Sequence, residues 1–409
     1  MRFLAGLLLA LTALAPAPRH PPERTADRSP RFVGNGLVAF ERTRASGTVV
    51  ADLAGHVRTL GGSLRAWAPD GSRVALATKA GIVVRRLDGA ERRVFAGASQ
   101  PTWSRDGTRL ALATDTAIIV AAGDGSSAHP IGDGLDGCGP PACVMERAEP
   151  EWSPDASQIA FLYVHAAMLT VNPTAAVFVV PREGGDARRL DVPYVCPFGD
   201  GSIGWSVGGE WLAALTNNCF DDDFEVELIR SDGSVEGFFA AVDFAWAPRG
   251  TRLAADTARG VTVTEPGGRP RLFPRTTGPA WAPSGDRLAL VRGGSVAVVS
   301  LDSGRVHALA RGTSPVWSAD GRWIAYAVPA CGQRQGIHLV RPDGRHDHRL
   351  TALCQVVATG PGPLAGTRYD DEIWAADDRP ETISCGAGRD VVHADARDAI
   401  RGDCERIVR

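Results

Sequence analysis

Short apolar runs, each only four to six residues long, alternate with tight polar turns from about residue 30 to residue 355. Runs of that length bounded by Gly, Pro and Asp read as buried strands, since helices need longer periodic segments. One phrase organises them: a Trp, a four-residue turn, two variable residues and then an apolar strand. It appears as Trp67-Ala-Pro-Asp-Gly71, Trp103-Ser-Arg-Asp-Gly107, Trp152-Ser-Pro-Asp-Ala156 and Trp205-Ser-Val-Gly-Gly209. It continues as Trp246-Ala-Pro-Arg-Gly250, Trp281-Ala-Pro-Ser-Gly285 and Trp317-Ser-Ala-Asp-Gly321. The strands that follow begin at Val74, Leu110, Ile159, Leu212, Leu253, Leu288 and Ile324. A degenerate copy opens the series, with Phe32 in the Trp slot, a shortened spacer and the strand Leu37-Val-Ala-Phe40.

A second turn recurs about 20 residues after most of these positions, as at Asp88-Gly89, Asp124-Gly125, Asp232-Gly233, Gly267-Gly268 and Asp343-Gly344. Asp-Gly between apolar runs is a hairpin signal, because such turns need a positive φ that Gly adopts without strain. Each unit therefore predicts four antiparallel strands in about 40 residues. A lone four-stranded sheet leaves a face unburied, whereas blades stacked radially cover both, with the Trp filling the gap between neighbours. The predicted fold is an all-β propeller of about eight four-stranded blades, with seven or six as alternatives.

The phrase Pro-x-Trp-Ser-Pro-Asp-Gly-x-x-Ile-Ala-Phe resembles the TolB-like (WD40-like, PD40) propeller repeat. Glu149-Pro-Glu-Trp-Ser-Pro-Asp155 and Ser314-Pro-Val-Trp-Ser-Ala-Asp-Gly321 are the best matches. The resemblance implies a propeller over residues 30–358 and a structural role for Phe32, Trp67, Trp103, Trp152, Trp205, Trp246, Trp281 and Trp317. The family usually has six blades, so eight units depart from it. A propeller does not imply an activity.

The repeat breaks at 132–148, 191–201, 217–223 and 329–335, nearly all on the face that carries the connections between second and third strands and the blade crossovers. Insertions gathered on one face are where binding surfaces are built. Asn217, Asn218 and Asp221 to Asp223 form an acidic loop there that reads as a cation site or a solvated loop; His346-Asp347-His348, on the other face, reads as a solvated turn. Six of the eight cysteines lie on the elaborated face. The expected disulfides are Cys138–Cys143, Cys196–Cys219 and Cys331–Cys354, with Cys385–Cys404 pinning the tail.

Arg2 followed by an apolar run to Ala15 and Ala13-Leu14-Ala15 reads as a signal peptide over 1–17, and Pro-rich 18–29 reads as a linker. Even-numbered cysteines in an exported chain fit disulfides, so the expected location is secreted or cell-envelope. The net charge of −3 and a pI near 6.3 give no basic face for nucleic acid. After signal removal no segment is apolar enough to span a membrane, and a monomer is expected.

Residues 359–409 form a tail. Cys385-Gly-Ala-Gly-Arg-Asp-Val-Val392 resembles one copy of the RTX calcium repeat, with Gly386, Gly388, Asp390 and Val392 matching and Cys385 in place of a Gly; Gly366 to Ile373 keeps Gly366, Asp371 and Ile373. The resemblance implies Ca2+ held around Asp371, Gly386, Gly388 and Asp390. The chain carries no Gly-x-Ser-x-Gly elbow, no His-Glu-x-x-His and no P-loop. The leading expectation is a non-catalytic binding or scaffold propeller that recognises a protein, peptide or glycan through its insertion-bearing face. The alternatives are a hydrolase or lyase with a channel-mouth site and a calcium-stabilised structural module.

Overall fold

In each repeat the Trp phrase closes a hairpin, and the turn chemistry explains why. In the third unit Gly107 N donates to Ser104 O at 2.8 Å, and Gly107 adopts φ 72°. The Asp106 carboxylate accepts from Ser104 Oγ at 2.6 Å and from Thr108 N at 3.0 Å, so it locks the turn from inside. Those hydrogen bonds hold Asp106 below the usual carboxylate range, as they hold Asp155 and Asp320 in the same slot. The recurring Asp of the phrase is thus a turn residue.

The computed structural model describes residues 23–409 apart from 27, 34–35, 43–46, 90–91, 115–116, 132–142, 168–173, 196–202, 218–223, 332, 358–361 and 369. Residues 26–352 form one compact unit. It contains eight four-stranded antiparallel sheets, each built from four consecutive strands. Blade one is Arg28–Val33, Leu37–Glu41, Val49–Asp52 and Val57–Thr59; blade two is Ser63–Trp67, Arg73–Thr78, Gly81–Arg86 and Arg92–Phe95. The first strands of blades three to eight end at Trp103, Trp152, Trp205, Trp246, Trp281 and Trp317. The register repeats: Trp67 pairs with Val74, Trp103 with Leu110, Trp281 with Leu288 and Trp317 with Ile324. In blade one Phe32 pairs with Val38, one residue short of that spacing.

Each junction between blades has its own apolar core. Val74 and Leu76 of blade two pack with Ala39 and Val50 of blade one, and Ile159 and Phe161 of blade four pack with Leu112's neighbours Ala111 and Ala113 of blade three. The ring closes the same way, with Val38, Phe40 and Val49 of blade one against Ala325, Ile337 and Leu339 of blade eight. No blade borrows a strand from the other end of the chain, so closure rests on side-chain burial. That settles eight blades over seven or six.

Polar order is added by the indoles. Trp152 Nε1 donates to Thr102 O at 3.3 Å, Trp205 to Glu151 O at 3.3 Å, Trp246 to Gly204 O at 2.8 Å, Trp281 to Ala245 O at 2.9 Å and Trp317 to Ala280 O at 3.1 Å. Every acceptor is the residue just before the Trp of the preceding blade. The ladder therefore fixes the register between blades as the backbone fixes it within them.

Blade eight carries a polar network around the buried Tyr326 and His338. Asp347 Oδ1 accepts from Tyr326 Oη at 2.7 Å and faces His338 Nδ1 at 3.2 Å, while Arg334 donates to Asp347 Oδ2 and, at 2.9 Å, to Tyr326 Oη. His338 Nε2 lies 2.8 Å from Arg334 O. The His346-Asp347-His348 turn is exposed, as expected; Asp347 is in addition the hub of this network, and His348 packs edge-on against Trp323. Burial alone would raise the Asp347 carboxyl, but bonds from His338, Tyr326 and Arg334 hold it well below the usual range.

Residues 353–409, with residues up to 25, form a second unit. One parallel sheet joins Cys354–Val357, Asp371–Trp374, Val391–His393 and Arg406–Val408, with Glu23–Ala26 at its edge; the other joins Gly362–Ala365, Glu381–Ser384 and Ala399–Ile400. The chain alternates between the two sheets and advances one strand at each pass, which makes a small parallel coil around Leu364, Ile373, Ile383 and Val392. Two sequence expectations change. The described part of the 18–29 linker is strand, and Cys354 belongs to this coil and not to the last blade. Cys354 has no Asp-Gly hairpin after it, and its strand pairs in parallel with Asp371–Trp374.

Two outcomes follow from this packing. Trp152→Ala is expected to lose about 3–5 kcal/mol in urea unfolding through the cavity it opens, and Trp152→Phe a smaller amount, of which about 0.5–1.5 kcal/mol is the indole bond. Equal losses for both would remove the ladder from the account. Because the folded Asp347 pKa is depressed, its stabilisation is complete above the ordinary carboxylate pKa and fades as pH falls toward the folded value. The stability gap between wild type and Asp347→Asn should therefore be largest near neutrality and shrink below about pH 4; a gap constant down to about pH 3 would contradict the network.

Candidate functional site

The indole ladder has a break. Trp67 would, by the rule of its neighbours, reach the residue before Phe32, which is Arg31. Its buried Nε1 instead has no hydrogen-bond partner. Trp103 bonds within its own blade, to Gly123 O at 2.9 Å. The cause of the break at Trp67 is the degenerate first unit, where Phe32 replaces Trp and the spacer is short. Backbone stitches hold the junction in place of the ladder: Thr48 N donates to Gly62 O at 2.9 Å, and Thr48 Oγ1 accepts from Leu64 N at 2.5 Å.

A cavity of about 490 Å³ opens at this break. Arg31, Arg42, Arg65, Thr48, Ser63 and Gln100 are among its lining residues. Thr48 and Arg42 flank the connection between the second and third strands of blade one, and Ser63 and Gln100 begin the first strands of blades two and three. The cavity thus belongs to the face where the sequence puts the insertions. Arg42 lies over the Phe40 ring at 5.5 Å. Arg31 and Arg65 are exposed and make no ion pair among the described residues. No acidic side chain is among the described residues that line the cavity. Three guanidinium groups around one opening, each a planar fork of N–H donors, suit a carboxylate, sulfate or phosphate. These arginines were missed in the sequence, where nothing marks them except that two of them flank the degenerate Phe32 copy and the Trp67 that follows it.

The insertions are only partly described. Residues 132–142, 196–201 and 218–223 lie outside the described residues, and with them Cys138, Cys196, Cys219, Asn218 and Asp221 to Asp223. Of Cys143 only the backbone is described. What is visible corrects the loop boundaries. Residues from Cys143 onward are strand, and Cys143–Trp152 pairs with Gln158–Ala167 all the way to Cys143 opposite Ala167. Blade four is therefore drawn out into a long hairpin. In the 329–335 segment, Gln335 is fully buried and Nε2 donates to Ala352 O at 2.5 Å. Cys331 and Cys354 are disulfide-bonded, and Cys385 is joined to Cys404.

In the coil unit Asp371 and Asp390 of the expected calcium set lie side by side in neighbouring strands. Both Asp371 carboxylate oxygens accept from Thr367, one from its backbone N–H and one from its hydroxyl at 3.1 Å. Gly386 is explained by packing, since a Cβ there would meet Thr367 O at 2.1 Å. Gly386 N donates to Asp403 at 3.1 Å. Asp390 Oδ1 accepts from Asp371 N at 2.8 Å, which leaves Asp390 Oδ2 as the free buried oxygen. Burial, then Glu405, Asp370 and Asp403, raise the Asp390 pKa. Among the described residues no three His, Cys, Asp or Glu side chains are grouped to hold a metal ion.

No family profile and no curated protein matches the chain. Solved structures do. Dipeptidyl peptidase 4 from Porphyromonas gingivalis is 13% identical with a TM-score of 0.57, over 79% of this chain and 59% of that one. The chain thus spans about three-fifths of that protein's length. A eukaryotic initiation factor is 12% identical with a TM-score of 0.52, over 78% of this chain and 86% of that one. TolB from Acinetobacter baumannii is 16% identical with a TM-score of 0.34, over 67% of this chain and 77% of that one. At these identities the likeness is one of fold, and the fold is the β-propeller.

Proposed function

We propose that this chain is an extracytoplasmic, non-catalytic binding propeller that holds an acidic group of a protein, peptide or glycan in the cavity between blades one and two. The observation that carries this reading is the placement of Arg31, Arg42 and Arg65 around one opening on the insertion-bearing face. The described lining offers N–H and O–H donors, which recognise an anion. The disulfides agree with an oxidising compartment. Among the described residues no helix is long and apolar enough to cross a membrane.

Arrays of acidic and neutral peptides and glycans test the proposal. Binding is expected to acidic members, to weaken with salt, and to fall at least about tenfold in the Arg31→Glu, Arg65→Glu double variant, in line with reversing charges at a recognition site. Retention of full affinity by the double variant, or a preference for neutral ligands, would overturn it.

A further inference from the structure

The Trp turns repeat one arrangement, and one of them is incomplete. In blades three, four and eight a Ser follows the Trp, and an Asp stands two residues later. The Ser hydroxyl donates to that carboxylate at 2.6 Å in each case: Ser104 to Asp106, Ser153 to Asp155 and Ser318 to Asp320. The same oxygen also accepts from the backbone N–H two residues further on, that of Thr108 at 3.0 Å, Ser157 at 3.1 Å and Arg322 at 3.0 Å. Blade five alone keeps the Ser and lacks the Asp, since its turn reads Trp205-Ser-Val-Gly-Gly209. Ser206 is fully buried and oriented as its counterparts are. Its Oγ accepts from Trp211 N at 3.0 Å, as Ser104 Oγ accepts from Arg109 N at 2.9 Å. Its hydroxyl proton has no acceptor among the described residues, and neither has Glu210 N, the counterpart of Thr108 N. A buried donor left without an acceptor is costly. Gly208 stands where the carboxylate would be rooted, and a Cβ there would meet nothing within 4 Å. Two donors are therefore set for a carboxylate oxygen that this turn does not supply.

The turn lines a cavity of about 420 Å³ between blades four and five, a size suited to a small ligand. Trp205, Val207 and Pro154 give it an apolar wall. Arg105, from the blade-three turn, also lines it and makes no ion pair among the described residues. Asp155, the acid of the described lining, is bonded within its own turn to Ser153 and Ser157. The cavity lies on the face of the Trp turns and shares no lining residue with the arginine cavity between blades one and two. Thr108, at the far end of the blade-three turn, is on its other side: a Cβ on neighbouring Gly107 would meet Pro69 of blade two at 3.6 Å.

We propose that the blade-five turn binds a ligand carboxylate carried on a compact carbon skeleton, which takes the place that Asp106, Asp155 and Asp320 fill in their own blades. One carboxylate oxygen accepts from Ser206 Oγ and Glu210 N. Arg105 supplies the opposite charge, and charge-assisted bonds of this kind are stronger than neutral ones. The carbon skeleton lies against Trp205 and Val207. The recognised group is the same whether it ends a peptide or belongs to a sugar acid, and the test separates the two sources.

The full chain is titrated calorimetrically at low salt with N-acetylvaline and glucuronate, and with their neutral counterparts N-acetylvalinamide and glucose. At least one acid is expected to bind at least about tenfold more tightly than its counterpart. Binding of N-acetylvaline alone assigns a peptide C-terminus, binding of glucuronate alone a sugar acid, and binding of both the carboxylate itself. Gly208→Asp supplies the carboxylate from within the turn. It should weaken acid binding at least about tenfold while its Tm stays at or above that of wild type. Gly208→Ala adds a Cβ without a carboxylate and should keep the affinity within about threefold. The Arg31→Glu, Arg65→Glu double variant should keep it as well, which separates this site from the arginine cavity. Equal binding of acids and neutral counterparts by wild type, unchanged binding or a lowered Tm in Gly208→Asp, an equal loss in Gly208→Ala, or loss of binding in the arginine double variant would overturn the proposal.

Discussion

The indole hydrogen bond that each Trp of blades four to eight makes to the blade before it is the constraint on which that arc of the propeller depends. A four-stranded sheet with two apolar faces has no preferred neighbour by hydrophobic burial alone, because burial is non-directional. The Trp supplies direction. Its ring fills the wedge between blades, and its N–H reaches one carbonyl, the one before the previous Trp. Repeated from blade four to blade eight, this sets the angle and register of each junction. The turn that follows each Trp, locked by an Asp or Gly, then returns the chain at the same height.

The proposed binding surface lies where that constraint lapses. Phe32 has no indole N–H to offer, Trp67 Nε1 has no hydrogen-bond partner and Trp103 bonds within its own blade, so the ladder is missing on both sides of blade two. The space that results is lined by arginines. A junction freed from the ladder can carry exposed charge without disturbing the ring, since the remaining seven interfaces and the closing core of Val38, Phe40, Ala325 and Leu339 hold the disc. The Tyr326–Asp347–His338 network does a different job, stiffening the last blade beside that closing interface.

The propeller was legible because its signals are local. A Trp, a turn and an apolar strand within twelve residues announce each hairpin, and even the eroded Phe32 copy kept its apolar strand. The arginine cavity was not legible, because Arg31, Arg42 and Arg65 come from three separate segments that only the ring brings together. The coil was half legible. Its Gly386 and Asp390 suggested a repeat, but the parallel pairing of Cys354, Asp371 and Val391 strands is non-local.

The central claim is that the junction between blades one and two is the working surface. Site-specific photocrosslinking tests it most directly. A benzophenone side chain at Ser63, in the cavity lining, is compared with one at Thr108, in a Trp turn on the opposite face. The account predicts that ligand adducts form from position 63 and carry acidic groups, while position 108 yields none. Adducts from position 108 alone, or equally from both, would contradict it.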